Sequence, residues 1–217
     1  MEKVEGCGRP SIGRPQRVDV DQIVAAAAAC FAEHGYERTT MTMVAQHVSA
    51  TKGMVYNHFK SKTDLLLAVY TVAMTRLFAG IDAADKPEQS GALRLESMLR
   101  AHAMTMMTDT DFVSVVIQGV QMQRMSGLSD EQRTILSDLN AARQKFEMRF
   151  RHAFDAGIED GSVRRDDASL AVKAMLGAIN WMAIWYRQSL DGQGPSREQI
   201  AQTLARGQVH GILSRTD

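Results

Sequence analysis

From residue 20 onward, the apolar residues of this chain recur three and four positions apart, which is the spacing of one face of an α-helix. The first such stripe comprises Val20, Ile23, Val24, Ala27 and Phe31. No stretch shows the alternation of apolar and polar residues that is typical of a half-buried strand. Only four prolines occur in 217 residues, and two of them precede residue 16, so little in the sequence interrupts helices. The sequence therefore predicts an all-α protein.

Helix start and stop signals divide this pattern into segments. Asp19 and Gln22 approximate a capping box, Gly35 ends the first helix, and two short stripes flank residues 49–51. A second capping signal at Ser61 opens a longer helix, and a break follows over residues 82–91. Further helices are expected at about 92–107, at about 111–124, from Ser129 to about 156, from Asp166, and from Ser196 to about Leu213.

The composition is that of a folded protein that does not coat nucleic acid indiscriminately. The chain is 45% apolar and 23% charged, and 25 basic residues balance 25 acidic ones. Two basic clusters contain no acid, namely Arg9, Arg14 and Arg17, and Lys52, Lys60 and Lys62. Such clusters can contact phosphates on a neutral molecule, although charge alone favours an ordinary solvated face.

Neither a membrane segment nor a disulfide framework is expected. The longest uncharged run, residues 174–186, is too short to span a bilayer, and the N-terminus has proline and arginine where a signal peptide is apolar. Cys7 and Cys30 make neither a disulfide framework nor a CxxC metal pair, and the alanine-rich surroundings of Cys30 predict a buried thiol. The sequence indicates a cytoplasmic protein.

The sequence carries no catalytic or metal-binding signature. The six histidines are scattered, and the GxSxG, Walker A and dinucleotide-binding motifs are missing. The carboxylate pairs at 130–131 and 166–167 stand at predicted helix starts, where the helix dipole accounts for them. We therefore expect no enzymatic activity, no metal and no cofactor.

The two short stripes around residues 49–51 predict a helix-turn-helix. A recognition helix must be short enough to enter the major groove, with apolar anchors behind it and polar residues in front. Val55 and Phe59 are the anchors, Gly53 leaves the start of the helix bare, and Lys62 is a phosphate contact. The outward residues are Thr51, Lys52, Gly53, Met54, Tyr56, Asn57 and His58.

The stretch from Phe31 to Leu66, FAEHGYERTTMTMVAQHVSATKGMVYNHFKSKTDLL, resembles the DNA-binding domain of the TetR family of bacterial repressors. Its most diagnostic parts are F-x-x-x-G-Y-x-x-T-T, A-x-x-V and T-K-G-x-x-Y-x-H-F-x-S-K. The resemblance implies a recognition helix at 52–58, DNA contacts that include Thr40 and Thr42, and a homodimer on a palindromic operator. Ser49 stands where the family usually has glycine, so a strained or reshaped turn is expected.

The resemblance also implies a division of the chain into three parts. They are a flexible basic arm (1–17), a DNA-binding domain (18–78) and a helical effector-binding and dimerisation domain (79–217). In the arm, Gly-Arg-Pro occurs twice, and Arg9, Arg14 and Arg17 predict contacts in a narrow minor groove. A disordered terminus without a DNA contact is the competing interpretation, and composition favours it.

Residues 174–186 are apolar on nearly every side, and such a helix must be buried on two sides. Core on one side and a second subunit on the other would satisfy this requirement, with Ala174, Gly177 and Ala178 allowing close approach. The resemblance implies the same, since the last two helices of TetR-like regulators form a four-helix dimer interface. A central core helix in a monomer is the alternative.

Six of the fourteen methionines fall in residues 98–125, and methionine adapts to apolar shapes. They predict a pocket for a hydrophobic small-molecule effector, although packing of the helix core is the simpler interpretation for any single methionine. The candidate pocket residues are Met98, Met104, Met107, Phe112, Val116, Met122, Trp181 and Trp185.

Residues 157–167 and 177–186 are similar to TetR-like regulators of fatty-acid and sterol catabolism, some of which respond to acyl-CoA thioesters. The similarity implies a hydrophobic or acyl-CoA-type effector, whose phosphates would need cations. The candidates are Arg124, Arg164, Arg165 and Arg187. Taken together, the patterns favour a ligand-responsive DNA-binding repressor over a helical interaction module that has lost its operators, and over a helical enzyme.

Overall fold

The computed structural model describes residues 19–122, 127–187 and 194–213, with residues 117–122 described by their backbone alone. This part of the chain forms ten helices and no strand, so the all-α prediction is confirmed. The helices are α1 (Val20–Arg38), α2 (Met41–His47), α3 (Lys52–Tyr56), α4 (Lys62–Ala84), α5 (Gly91–Thr108), α6 (Thr110–Met122), α7 (Asp130–Glu159), α8 (Ala168–Asn180), α9 (Met182–Trp185) and α10 (Arg197–His210). The arm residues Arg9, Arg14 and Arg17, together with Cys7 and Arg124, lie outside the described residues.

The predicted capping residues begin their helices. The Asp19 amide donates to Gln22 Oε1 at 3.2 Å at the start of α1. At the start of α7, the Ser129 amide donates to Gln132 Oε1 at 3.1 Å, and the Gln132 amide donates to Ser129 Oγ at 3.2 Å. Ser196 and Gln199 form the same reciprocal pair before α10. These short-range pairs satisfy amides that lack helical partners, which explains why the sequence predicted them.

Gly35 interrupts α1, as the sequence predicts, because its backbone (φ 75°, ψ 168°) is not helical. The chain then turns toward α2, and the buried Thr39 hydroxyl lies 2.8 Å from the Gly35 carbonyl and 3.0 Å from the Cys30 carbonyl. Cys30 is buried, as predicted, and burial raises the pKa of its thiol, with a smaller contribution from Glu33.

Helix α4 contributes many buried residues to a core that both halves of the chain share. Leu65, Leu66 and Tyr70 are fully buried, and the helix packs against α1, α5, α6 and α7. It runs without interruption across residue 78, where the sequence division ends the DNA-binding domain. The predicted break lies between the end of α4 and the start of α5 at Gly91. The two predicted domains are therefore joined by one continuous helix.

Two described helices, Lys62–Ala84 and Ala168–Trp185, are long and apolar enough to cross a membrane by those criteria alone. The uncharged run at 174–186 is itself too short, and the second helix reaches the required length only because it begins at Ala168 and includes Lys173. Helices of the same length and composition also occur in the cores of globular proteins. Helix α4 is such a core helix, because half of its apolar segment is buried. In Ala168–Trp185 only 22% is buried.

The turn between α2 and α3 places Ser49 in the left-handed region, with φ of 53°. Its amide donates to the Gln46 carbonyl at 3.0 Å, and the Ala50 amide donates to the Ala45 carbonyl at 2.8 Å, so the turn is fixed on both sides. An L-residue is disfavoured in this region because its Cβ approaches the carbonyl oxygen that follows. The strain expected from a serine in place of the family's glycine is present.

We expect Ser49→Gly to raise the free energy of unfolding by about 0.5–1 kcal/mol, because relief of the left-handed strain exceeds the added chain entropy of glycine. Urea denaturation of the purified protein measures the change. Ser49→Ala is the matched control, since it removes the hydroxyl but keeps the Cβ. An equal gain in both variants would contradict the backbone explanation.

Candidate nucleic-acid interface and effector cavity

Helix α3 presents polar side chains to solvent and one anchor to the core. Val55 is fully buried and Phe59 is half-buried, as expected of the two anchors, whereas Tyr56 is 43% exposed. Met54 is half-buried. The other predicted contacts on and around α3 are exposed, namely Thr51, Lys52, Gly53, Asn57 and His58. The geometry is that of a short helix whose outer side is free to enter a groove.

The first turns of α2 and α3 are capped by exposed threonines. Thr40 Oγ1 accepts from the Met43 amide at 3.2 Å, and Thr51 Oγ1 accepts from the Met54 amide at 3.4 Å. A Cβ built on Gly53 approaches nothing closer than Thr51 Oγ1 at 4.0 Å, so the start of α3 is open. Thr42 is exposed on the first turn of α2. Open helix starts of this kind attract phosphate through the helix dipole and free amides.

Lys62, predicted as a phosphate contact, is bound to the end of α1. Its Nζ donates to the Tyr36 carbonyl at 2.6 Å and to the Glu37 carbonyl at 3.0 Å, and lies 4.3 Å from the Tyr36 ring centroid. The Tyr36 hydroxyl is 2.8 Å from Thr63 Oγ1. The same ammonium therefore holds α4 against α1 and has one remaining donor for a phosphate.

Sequence reasoning missed Tyr36 and Gln132 as positioning residues. Tyr36 belongs to the diagnostic lead-in, but nothing in the spacing shows that it receives Lys62. Gln132 Nε2 donates to Ser61 Oγ at 3.2 Å and to Asp64 Oδ1 at 2.7 Å, while its Oε1 caps α7. One glutamine side chain thus connects the starts of α4 and α7.

A cavity of about 410 Å³ lies among α4, α5, α6, α7 and α8. Its apolar wall comprises Met74, Leu77, Val116, Phe146, Leu176 and Gly177. Its polar wall comprises His102, Asn140, Arg143, Gln144, Glu147, Lys173 and Asn180. The volume is that of a small-molecule site. The lining, however, contains more polar residues than expected of the apolar pocket that the sequence predicted.

Some polar groups of this cavity have hydrogen-bond partners within the described chain, and others do not. His102 is 2% exposed, and its Nε2 lies 2.9 Å from Asn180 Oδ1, so Nε2 carries the proton and Nδ1 is an acceptor. Within the described part of the chain, Nδ1 has no hydrogen-bond partner. Burial lowers the pKa of His102 to about 4, against the hydrogen bond to Asn180, so the ring is neutral at pH 7.

Tyr70 lies beside Arg143, which is one of the residues that line this cavity. Burial raises the pKa of the Tyr70 hydroxyl, and the charge of Arg143 and a hydrogen bond from it act in the opposite direction. The geometry of that contact falls short of an ordinary hydrogen bond. The Arg143 guanidinium therefore retains most of its donors.

The predicted pocket residues do not come together. Val116 lines the cavity described above, and Met107 lines a second one near Arg187. Met98 is fully buried in the core, and Phe112 covers the Arg76 guanidinium at 3.8 Å. Met104 is half-buried on α5, and the side chain of Met122 lies outside the description. Helical spacing in the sequence therefore identifies apolar residues, but it does not show whether they lie in the core or line a cavity.

Trp181 and Trp185, also predicted for the pocket, are 62% and 46% exposed. They continue an apolar face with Leu170 and Ile184, which are 66% and 52% exposed. Ala174 and Gly177 are exposed on the same side, and Ala178 is half-buried. This set, spaced as one helical stripe over residues 170–185, is called the α8–α9 face below. The prediction that the two tryptophans line a pocket within the protomer is wrong, because both rings point away from its core.

The arginines that the sequence offered as contacts for the phosphates of an acyl-CoA do not form one cluster. Arg164 Nη2 lies 3.1 Å from Asp166 Oδ2, Arg165 is exposed, and Arg187 lines the second cavity. Among the residues that the structure describes, no group of three or more His, Cys, Asp or Glu side chains is placed to hold a metal ion.

Two family comparisons cover the two halves of the chain. Residues 23–69 match the bacterial regulatory proteins of the tetR family. Residues 88–212, more than half of the chain, match the tetracyclin repressor-like C-terminal domain. The chain belongs to the TetR family. This membership confirms the predicted class of DNA-binding regulator, and it is a class of regulatory proteins rather than of enzymes.

Relatives of this TetR-family chain include the repressor KstR2 of Rhodococcus jostii (strain RHA1), which is 29% identical over 167 residues, or 74% of this chain and 76% of KstR2. The crystal structure of the regulator PfmR from Thermus thermophilus is 29% identical, with a TM-score of 0.74 over 89% of this chain and 99% of PfmR. AibR, crystallised with isovaleryl coenzyme A and operator DNA, is 21% identical, with a TM-score of 0.71 over 90% of this chain and 98% of AibR.

The neutral state of buried His102 makes folding depend on pH. In the unfolded chain His102 takes up a proton as the pH falls below 6.5, whereas in the folded protein it does so only near pH 4. The free energy of unfolding therefore decreases as the pH drops through this window. Between pH 7 and pH 5 we expect the free energy of unfolding to decrease by about 2 kcal/mol from this group. Urea denaturation at both pH values measures the decrease.

His102→Phe removes this titration while packing against Phe146 and Phe150, whose ring centroids lie 5.2 Å and 6.3 Å from the imidazole. The variant should show a smaller loss of stability from pH 7 to pH 5. The exposed His152 provides the control, and His152→Gln should lose as much stability as the parent. If His102→Phe retains the full dependence on pH, the titration of His102 is not its cause.

Proposed function

We propose that this chain is a ligand-responsive homodimeric repressor that acts in the cytoplasm and binds a palindromic operator. The observation that carries the proposal is the outer side of α3, where a capped and open helix start adjoins exposed Lys52, Tyr56 and Asn57. Lys52 Nζ lies 5.4 Å from the Tyr56 ring centroid, so the two side chains form one contact surface. Recognition helices read base edges with such side chains while capped helix starts hold the backbone phosphates.

The α8–α9 face supports the homodimer. Leu170, Trp181 and Ile184 are more than half exposed, although large apolar side chains gain free energy by leaving water. A second copy of the same face covers this surface in an isologous contact, and the small residues Ala174 and Gly177 let the two helices approach closely. Two recognition helices in such a dimer would be related by two-fold symmetry, which matches a palindromic site.

Helix α4 and Gln132 support the response to a ligand. The effector cavity touches Met74 and Leu77 on α4, which follows α3 in the chain and whose first turn is bonded to the start of α7 by Gln132. A ligand that favours one position of α4 would therefore change the placement of the recognition helix. Such coupling requires unequal affinity for the two positions and is typically worth about 1–3 kcal/mol.

The effector is a hydrophobic or acyl-CoA-type metabolite. The apolar wall of the cavity supports a hydrophobic body, and AibR, of the same fold, is crystallised with isovaleryl coenzyme A. KstR2 is named a repressor, and this supports repression by the present chain.

Fluorescent duplexes that tile the DNA upstream of the chain's own gene provide the test of operator binding. We expect saturable binding to one tile with a Kd of about 10⁻⁸ M in the presence of competitor DNA. Tyr56→Ala and Lys52→Ala should weaken that binding about tenfold, and Lys52→Ala should reduce the slope of log affinity against log salt by about one. Lys145→Ala, on the exposed side of α7, serves as the control. Weak binding to every tile would instead support the interaction module.

The dimer is tested by Gly177→Glu. A Cβ at Gly177 meets no atom within 4 Å in the protomer, so the protomer accommodates the side chain, whereas two carboxylates in an apolar interface repel each other. Sedimentation of the parent should give twice the protomer mass of 24.0 kDa, and that of the variant should give the protomer mass at micromolar concentration. Ala141→Glu, on the exposed side of α7, should remain a dimer. A dimeric Gly177→Glu variant would place the interface elsewhere.

A further inference from the structure

Arg143 is the polar residue of the effector cavity whose charge the protein leaves uncompensated. Glu147 and Lys173, in the same wall, form an ion pair with each other, and Lys173 also contacts Ser169 Oγ at 3.3 Å. No carboxylate of the described residues lies within 4.0 Å of the Arg143 guanidinium. The cavity therefore carries a net positive charge, which is located at Arg143.

The surroundings of Arg143 are those of a site for one charged group attached to an apolar body. The same cavity is also lined by the apolar residues Met74, Leu77, Val116 and Leu176. The fully buried Tyr70 hydroxyl adjoins the guanidinium and has no ordinary hydrogen-bond partner in the described chain. His102, which lines the cavity, likewise has no partner for its Nδ1 in the described chain. Buried polar atoms normally have hydrogen-bond partners, and both of these atoms lack one within the described chain, although neither is accessible to solvent.

We propose that the effector of this regulator is an anionic amphiphile whose acidic group forms an ion pair with Arg143 and whose hydrocarbon part lies along Met74, Leu77 and Leu176. The proposal rests on the ligand response proposed above and specifies its chemistry. A guanidinium presents parallel donors that match the two oxygens of a carboxylate or a phosphate. A neutral hydrophobic effector would leave the guanidinium desolvated without a counter-charge, which opposes binding.

Two sources supply this chemistry, a free carboxylic acid and the phosphates of an acyl-coenzyme A. In the first, the carboxylate itself meets Arg143 and the whole molecule fits within the cavity of about 410 Å³. In the second, the acyl chain occupies the cavity and a phosphate reaches Arg143 from the open side. The experiment separates them by using decanoate, decanoyl-coenzyme A and the neutral 1-decanol as probes.

Isothermal titration of the full-length protein with the three probes tests the proposal. We expect at least one anionic probe to bind about tenfold or more tightly than 1-decanol, because a charge-assisted bidentate pair is lost in the alcohol. Arg143→Met should abolish this preference, leaving the anionic probe and the alcohol with similar affinity. Lys145→Met is the matched control, since it removes a cation two residues away on the exposed side of α7 and should keep the preference.

Arg143→Lys keeps the charge and loses the planar pair of donors, so it should bind the anionic probe less tightly than the parent while still preferring it to 1-decanol. This variant decides the question if circular dichroism shows that Arg143→Met does not fold. Binding of decanoate supports the carboxylate source, and binding of decanoyl-coenzyme A alone supports the phosphate source.

Equal affinity for the anionic probes and 1-decanol, an undiminished preference in a folded Arg143→Met variant, or no binding of any probe would overturn the proposal. Operator binding by the parent protein without any probe is measured in parallel. Its failure would overturn the proposed repressor function and would leave the probe affinities to decide the ligand chemistry separately.

Discussion

Both halves of the molecule depend on the burial of α4. Leu66 and Tyr70 are fully enclosed between helices of the N-terminal and C-terminal parts, and Lys62 at the start of α4 is bonded to the end of α1. Protein interiors are close-packed, so a helix held in this way moves as a unit or not at all. Met74, which lines the cavity, and Lys62, which is bonded to α1, therefore belong to one firmly packed helix.

The interface and the cavity satisfy their polar groups in different ways. At the helix-turn-helix, Thr40 and Thr51 cap their own helices, so amides of the two first turns find partners within the protein. In the cavity, Arg143 has no carboxylate partner and His102 Nδ1 has no hydrogen-bond partner within the described chain. Incomplete satisfaction of buried polar groups lowers stability, and its concentration at one site is consistent with a ligand-binding role rather than a purely structural one.

The α8–α9 face is a third kind of surface, since it is apolar and uncovered. Trp181 is 62% exposed, and the stripe that contains it is continuous over four helical turns. A run that resembles a membrane segment in length and hydropathy thus lies on the outside of a helical bundle. The effector cavity is lined by Leu176 and Gly177 of α8, so the helix that carries this apolar face also borders the cavity.

The sequence by itself determined the helices, their caps, the helix-turn-helix and the strained turn at Ser49, because each depends on residues within a few positions of one another. Only the tertiary structure decided which distant residues meet. Lys62 reaches Tyr36 across 26 positions, and Gln132 reaches Ser61 across 71. It also placed Met98 in the core and Trp181 at the surface. Helical periodicity shows that a face is apolar, but whether core, ligand or a second subunit covers it depends on how the helices pack.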